Sequence, residues 1–184
     1  MYEVELKVEA DHDTVRSALA DAGAEPVDHV RQVDTYYDAP HREFAETDEA
    51  LRLREETDLD AGETATAMTY KGPLVEAESK TREEHETAVA DADAAAGILD
   101  GLGFEPAATV EKERERFELE GYTVTLDVVE GLGSFVEVER EAPESDIEEV
   151  RTGAQELLHD LRLDPDDQLR TSYLGLLLDG DAPQ

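Results

Sequence analysis

Segments in which charged and apolar residues strictly alternate recur along this 184-residue chain. The first, Tyr2-Glu3-Val4-Glu5-Leu6-Lys7-Val8, sets the pattern. Successive side chains of a β-strand point to opposite faces. Glu3, Glu5 and Lys7 therefore share one face, and Val4, Leu6 and Val8 the other. Two environments satisfy such a strand. Its charges can lie in water, or its apolar face can pack on the protein while its charged face lines a polar interior. Alternation alone does not separate the two.

Seven further segments read as strands: Gln32 to Asp38, Ala50 to Arg54, Thr64 to Lys71, Glu78 to Val89, Val110 to Phe117, Tyr122 to Glu130 and Ser134 to Glu141. Gly72-Pro73, Gly121 and Gly131-Leu132-Gly133 punctuate them as turns. Helices are expected from Asp11 to Ala22, ended by Gly23, and from the Asp91 cap to Leu102. A third is expected from a Ser145/Glu148 capping box to about Leu163, and a fourth from Gln168 to Leu178. The predicted fold is α+β: an eight-stranded antiparallel closed barrel with helices packed on its outside. One domain is expected over residues 1–178, followed by a frayed tail at 179–184.

The chain carries 49 Asp and Glu against 16 Lys and Arg, a formal net charge of −33. Such a surface repels nucleic acid and anionic membranes, so neither is expected as a partner. The acids are spread among regular apolar positions rather than gathered in a tail, which argues against disorder. A high-salt cytoplasm is the natural setting, because the Debye length shrinks to about 3 Å at 1 M and screens the self-repulsion. Cysteine is absent, which excludes disulfides and thiolate metal sites. Leu174-Gly175-Leu176-Leu177-Leu178, the greasiest run, is too short to span a bilayer. The charged start from Glu3 onward is unlike a signal peptide. A soluble cytoplasmic protein is expected.

Against this acidity, the positive charges are unevenly placed. Lys7, Arg52, Arg54, Lys71, Lys80, Arg82, Lys112, Arg114 and Arg116 share the parity of the charged strand faces. They are nine of the 16 cations and include all four lysines. Glu3, Glu5, Glu84, Glu86, Asp127, Glu137 and Glu139 share that parity. Cross-strand ion pairs on a wet sheet would each contribute under about 1 kcal/mol and would not gather the scarce cations there. A lumen holding both signs has a chemical use. Arginine forks and lysine point charges cage a polyanion, while clustered carboxylates hold a hard cation such as Mg²⁺ or Mn²⁺. A triphosphate with its metal fits both halves.

The chain resembles the CYTH family, the triphosphate tunnel metalloenzymes. Glu3-Val4-Glu5-Leu6-Lys7 is similar to the family's ExExK signature. The likeness continues in order through Asp34-Thr35-Tyr36-Tyr37-Asp38, Leu51-Arg52-Leu53-Arg54, Thr69-Tyr70-Lys71-Gly72-Pro73, Thr81-Arg82-Glu83-Glu84, Lys112 with Arg114, and the run from Leu126 to Glu139. The last forms look most like the class IV adenylyl cyclase branch and its archaeal relatives. The resemblance implies that Glu3, Glu5, Asp127, Glu137 and Glu139 face metal, Mg²⁺ or Mn²⁺. It implies that Lys7, Arg52, Arg54, Lys71, Arg82, Lys112 and Arg114 bind triphosphate, with Lys7, Arg52, Arg54, Lys71 and Lys112 carrying catalysis. Lys80, Glu84 and Arg116 join by parity with a looser motif match.

One cage serves several reactions. A class IV adenylyl cyclase would convert ATP to cyclic AMP and pyrophosphate. An inorganic or thiamine triphosphatase would deliver water to a terminal phosphorus instead, and a non-catalytic nucleotide or polyphosphate binder would stop at the complex. No signature for adenine is visible. His12, His29, His41, His85 and His159 lack metal-ligand spacing and are expected at the surface. Tyr36 and Tyr37 could stack a base or pack within the strand. Tyr173, Leu174 and Leu177 are expected in the core, with a homodimer face as the alternative.

Overall fold

In the computed structural model, which describes residues 1–75 and 80–180, the alternating segments close on one another. They are β1 (Tyr2–Glu9), β2 (Glu25–Asp38), β3 (Ala50–Asp58), β4 (Thr64–Lys71), β5 (Lys80–Val89), β6 (Glu105–Leu119), β7 (Tyr122–Val129) and β8 (Gly133–Ala142). The order around the barrel is β1-β5-β4-β3-β2-β6-β7-β8. All neighbours are antiparallel, and β1 closes the ring by pairing with both β5 and β8. Closure leaves no strand edge open. The registers set Glu3 opposite Arg82 and Glu5 opposite Lys80 on one side of β1. On its other side they set Glu5 opposite Glu139 and Lys7 opposite Glu137. The charged faces therefore meet inside a single lumen.

The apolar faces point outward and are roofed by helices. Val4, Leu6, Val124, Val136 and Val138 are fully buried. They pack with Val15, Ala18 and Leu19 of α1 (His12–Ala22) and with Val150, Ala154, Leu157 and Leu158 of the helix Ile147–Asp160. Each such aliphatic side chain contributes about 1.5–3 kcal/mol on burial. Asp11 caps α1 by accepting from the Asp13 and Thr14 amides, and Gly23 ends it in the left-handed region at φ 79°. A second cluster joins Tyr37 and Leu53 to Ala95 and Leu99 of the helix Ala92–Gly101.

A third cluster sits at one end of the barrel. Val110, Val129 and Phe135 continue the lumen face of their strands, two residues beyond Lys112, Asp127 and Glu137. There the charges give way to an apolar ring, and Tyr173, Leu174 and Leu177 pack onto it. In chain order the helices are α1, α2 (Phe44–Thr47), α3 (Ala92–Gly101), α4 (Ile147–Asp160) and α5 (Tyr173–Gly180). α1, α3 and α4 pack on the outside of the strands, α5 caps one barrel end, and α2 lines the lumen with Phe44 and Ala45. The core packing expected for Tyr173, Leu174 and Leu177 is thus what the fold uses.

Several local expectations change. β2 and β6 begin seven and five residues earlier than the sequence suggested, at Glu25 and Glu105. These two strands pair along their whole length, with bulges between Pro26 and Asp28 and between Tyr36 and Tyr37. The polar connection at 41–49 contains α2. Ser145 does not cap α4. It lies in a 3₁₀ turn, and its hydroxyl binds Asp146. α4 ends at Asp160, where Arg162 takes a left-handed φ of 65°. The last helix starts at Tyr173 rather than Gln168, because Leu169 instead donates its amide to the Lys7 carbonyl at 2.7 Å. Asp179 and Gly180 belong to α5, while the rest of the expected tail, 181–184, and the expected start of β5 at Glu78 lie outside the described residues. His12 is buried, with Nε2 2.9 Å from the Phe135 carbonyl. Among the described residues no helix is long and apolar enough to cross a membrane.

Candidate functional site

The lumen is a cavity of about 890 Å³, and all nine cations of the charged faces line it. Most are held by a carboxylate, in a small number of groups. The first surrounds Asp34 of β2, which is fully buried. Arg54 grips it with both nitrogens, Nε to Oδ1 at 2.6 Å and Nη2 to Oδ2 at 2.8 Å. Arg52 and Lys112 stand 3.5 and 3.7 Å from Oδ2. Burial alone would raise the Asp34 pKa, but the hydrogen bonds from Arg54 and the charges of Lys112, Arg52 and Arg54 hold it far below the carboxylate range. Lys112 moves the other way. Burial, with Arg54 and Arg114 beside it, pushes it down to about 7.

The second group joins β6, β7 and β8. Arg114 donates Nε to Asp127 Oδ1 at 2.6 Å and Nη2 to Asp127 Oδ2 and Glu137 Oε2. Lys7 lies 3.2 Å from Glu137 and 3.4 Å from Glu5. Tyr173 enters this group from α5. Its hydroxyl donates to Asp127 Oδ2 at 2.8 Å, and its ring lies 4.0 Å from Lys7 Nζ and 5.2 Å from Lys112 Nζ. Burial, with Glu137 and Asp127 near, pushes the phenol pKa well up, so it stays a donor.

Elsewhere Lys71 bridges Glu3 at 2.8 Å and Glu84 at 2.7 Å. Arg116 binds Asp28 at 2.8 Å and also pairs with Glu56. Arg82 reaches out to Asp48, at the end of α2, at 2.6 Å. Glu86 accepts from Thr69 at 2.8 Å. Lys80 is buried, opposite Glu5 across the β1–β5 pair. Burial, with Lys7 and Arg82 nearby, pushes its pKa down to about 8.

Three of the five carboxylates expected at metal converge. Glu5, Glu137 and Glu139 each place an oxygen within 4.8 Å of the other two. The set suits a hard divalent cation, being all oxygen donors and all anionic when ionised. Glu5 Oε1 is buried without a hydrogen bond. Burial and the neighbouring Glu3, Glu137 and Glu5 push Glu139 up to about 8, a repulsion that a cation would relieve. The residues present therefore fit a metal. Glu3 and Asp127 are not in this trio: Glu3 is held by Lys71, and Asp127 by Arg114 and Tyr173.

Sequence reasoning placed the lumen cations but missed five of their partners, Asp28 and Glu56 on Arg116 among them. Asp34 stood inside a quoted motif with no role given, Asp48 lay in a connection, and Tyr173 was read only as packing. Tyr36 and Tyr37 both line the cavity, and Tyr37 also packs under α3.

Comparison with known proteins agrees with this geometry. A family model described as the CYTH domain matches residues 1–173. A Methanocaldococcus jannaschii protein provisionally named as an adenylate cyclase is 38% identical over 180 residues, covering 96% of this chain and 98% of that protein. Adenylate cyclase CyaB of Aeromonas hydrophila is 29% identical over 139 residues, covering 74% of this chain and 68% of its own. Among solved structures, the PH1819 protein of Pyrococcus horikoshii OT3 is 38% identical with a TM-score of 0.89, and 97% and 99% of the two chains are covered.

Proposed function

The chain belongs to the CYTH family, and from that premise we propose that it is a metal-dependent enzyme that turns over a triphosphate in the barrel lumen, best read as a class IV-type adenylyl cyclase. The observation that carries this reading is the meeting of a cation cage and a three-carboxylate cluster in one cavity. The cyclase reading draws on relatives named for that activity. A cytoplasmic setting, where ATP is abundant, is part of the proposal.

Divalent metal dependence goes with the family, and Glu5, Glu137 and Glu139 would hold the ion. Bound there, it would neutralise phosphate oxygens and lower the pKa of the attacking hydroxyl. The chain's own residues do the rest by positioning and charge. Arg52, Arg54 and Lys112 exchange part of their hold on Asp34 for phosphate oxygens. Arg114 and Lys7 flank the carboxylate trio and would meet phosphate oxygens placed beside it. Lys71, Lys80, Arg82 and Arg116 extend the cage. In the cyclase reaction the ribose 3′-oxygen bonds to the α-phosphorus and gives up its proton, while the bond to pyrophosphate breaks. Hydrolysis would use the same cage with water as nucleophile.

The test is product identification. The protein is incubated at high KCl with Mg²⁺ or Mn²⁺ and, separately, ATP, inorganic triphosphate and thiamine triphosphate. Cyclic AMP with pyrophosphate is the expected result. Orthophosphate from any substrate would replace the cyclase reading by a triphosphatase. Binding without product would reduce the protein to a binder. Lys7→Ala and Glu137→Ala are expected to abolish turnover, and full activity in either would remove the lumen as the site.

A further inference from the structure

Lys7 and Lys112 are almost wholly buried, at 2% and 5% exposure. A lysine is a flexible stem with a compact charge, and about 2 kcal/mol of rotamer freedom opposes holding it still. Lys112 has little to hold it. Among the described residues its one carboxylate contact within 4.0 Å is at 3.7 Å, on an oxygen that Arg54 already uses. What both ammoniums share is the ring of Tyr173, 4.0 and 5.2 Å from their nitrogens. The ring itself is fixed three ways. Its hydroxyl is bonded to Asp127 at 2.8 Å, and Asp127 is clamped by Arg114 through both oxygens. Its centroid lies 5.1 Å from that of Phe135. The helix it begins packs on the apolar ring at the barrel end.

A carboxylate that orients an ammonium also cancels its charge. An aromatic face orients it through the ring quadrupole and leaves the formal charge intact. We propose that Tyr173 is a positioning residue, whose ring, latched to Asp127, holds the Lys7 and Lys112 nitrogens toward the substrate's phosphates. The inference rests on the lumen being a triphosphate site. It differs from a plug, for which any apolar side chain of similar size would serve.

The experiment compares Tyr173→Phe with Tyr173→Leu, measuring calorimetric binding of inorganic triphosphate with Mg²⁺ alongside melting. Phe keeps the ring and is expected within about three-fold of the parent. Leu keeps the plug without the ring and is expected to weaken binding about ten-fold or more, the order of a desolvated cation–π contact. Leu binding as tightly as the parent, or Phe binding as weakly as Leu, would overturn the inference. A second measurement needs no variant to fold. With ¹³C-lysine the parent gives four side-chain signal sets, one for each lysine. Those of Lys7 and Lys112 are expected upfield from the ring current, with and without triphosphate. Ordinary shifts in the free protein, or loss of the upfield shift on binding, would equally overturn it. If the parent binds no triphosphate while the upfield shifts are present, it is the lumen reading that falls, and the proposed role with it.

Discussion

Asp34 holds more of the cage together than any other acid, since Arg52, Arg54 and Lys112 all lean on one buried carboxylate. Asp34→Asn leaves those cations without a counter-charge, and uncompensated buried charge is strongly destabilising. A loss of about 3–5 kcal/mol is expected in chemical denaturation at fixed salt. A loss under about 1 kcal/mol would mean that water reaches the group. Lys112 supplies a pH signature. Its pKa, pushed down to about 7 in the fold, lies below the unfolded value of about 10.4. Between those limits the unfolded chain binds more protons, so this group alone makes stability rise with pH from about 7 to about 10. An anion beside it reverses the shift. Triphosphate added at pH 8 to Mg²⁺-saturated protein is therefore expected to take up protons, and uptake should fade toward pH 6. Calorimetry in two buffers of different ionisation enthalpy measures this. At this scale the sequence was legible where charges alternate, as in Glu3-Val4-Glu5-Leu6-Lys7. Asp34 escaped because its face neighbours on β2 are Gln32 and Tyr36, so no alternation marked it.

Among the elements, α4 and α5 show how the barrel's outside serves its inside. α4 approaches β7 closely where Gly153 faces Tyr122, whose hydroxyl donates to the Val150 carbonyl at 2.9 Å. A Cβ at 153 would collide with that phenol. Gly153→Ala is thus expected to destabilise by about 1–3 kcal/mol, despite alanine's better helix propensity, because overpacking outweighs it. A thermal melt decides, and an unchanged or raised midpoint would refute the contact. The alternating strands were readable element by element, and β4 spans its expected Thr64–Lys71. The early halves of β2 and β6 were not readable. Glu25–Arg31 and Glu105–Thr109 each contain a proline and do not alternate cleanly, and the two stretches are strands through pairing along each other. Nor could periodicity show that α5 would turn Tyr173 into the lumen. A helical stripe says that a face is buried, but not what it is buried against.

For the whole molecule, the division of charge is the governing fact. All four lysines are inside, and the remaining seven cations are all arginines, in a chain of net charge −33. Surface self-repulsion should fall as salt rises, since the Debye length drops from about 8 Å at 0.15 M to about 3 Å at 1 M. The melting temperature is expected to climb between 0.1 and 3 M KCl, and a maximum at low salt would sink the high-salt reading. The inward lysines also bear on how the protein can be modified. Amine-directed reagents such as acyl donors, reducing sugars and succinimidyl dyes seek solvent-facing, uncharged lysine nitrogens. Here Lys7, Lys80 and Lys112 are at most 8% exposed, and the Lys71 side chain is 18% exposed and tied to two acids. The outer surface is therefore close to inert toward lysine acylation and glycation. Any lysine adduct that does form reports on the lumen, and an occupant that fills the cavity should protect against it.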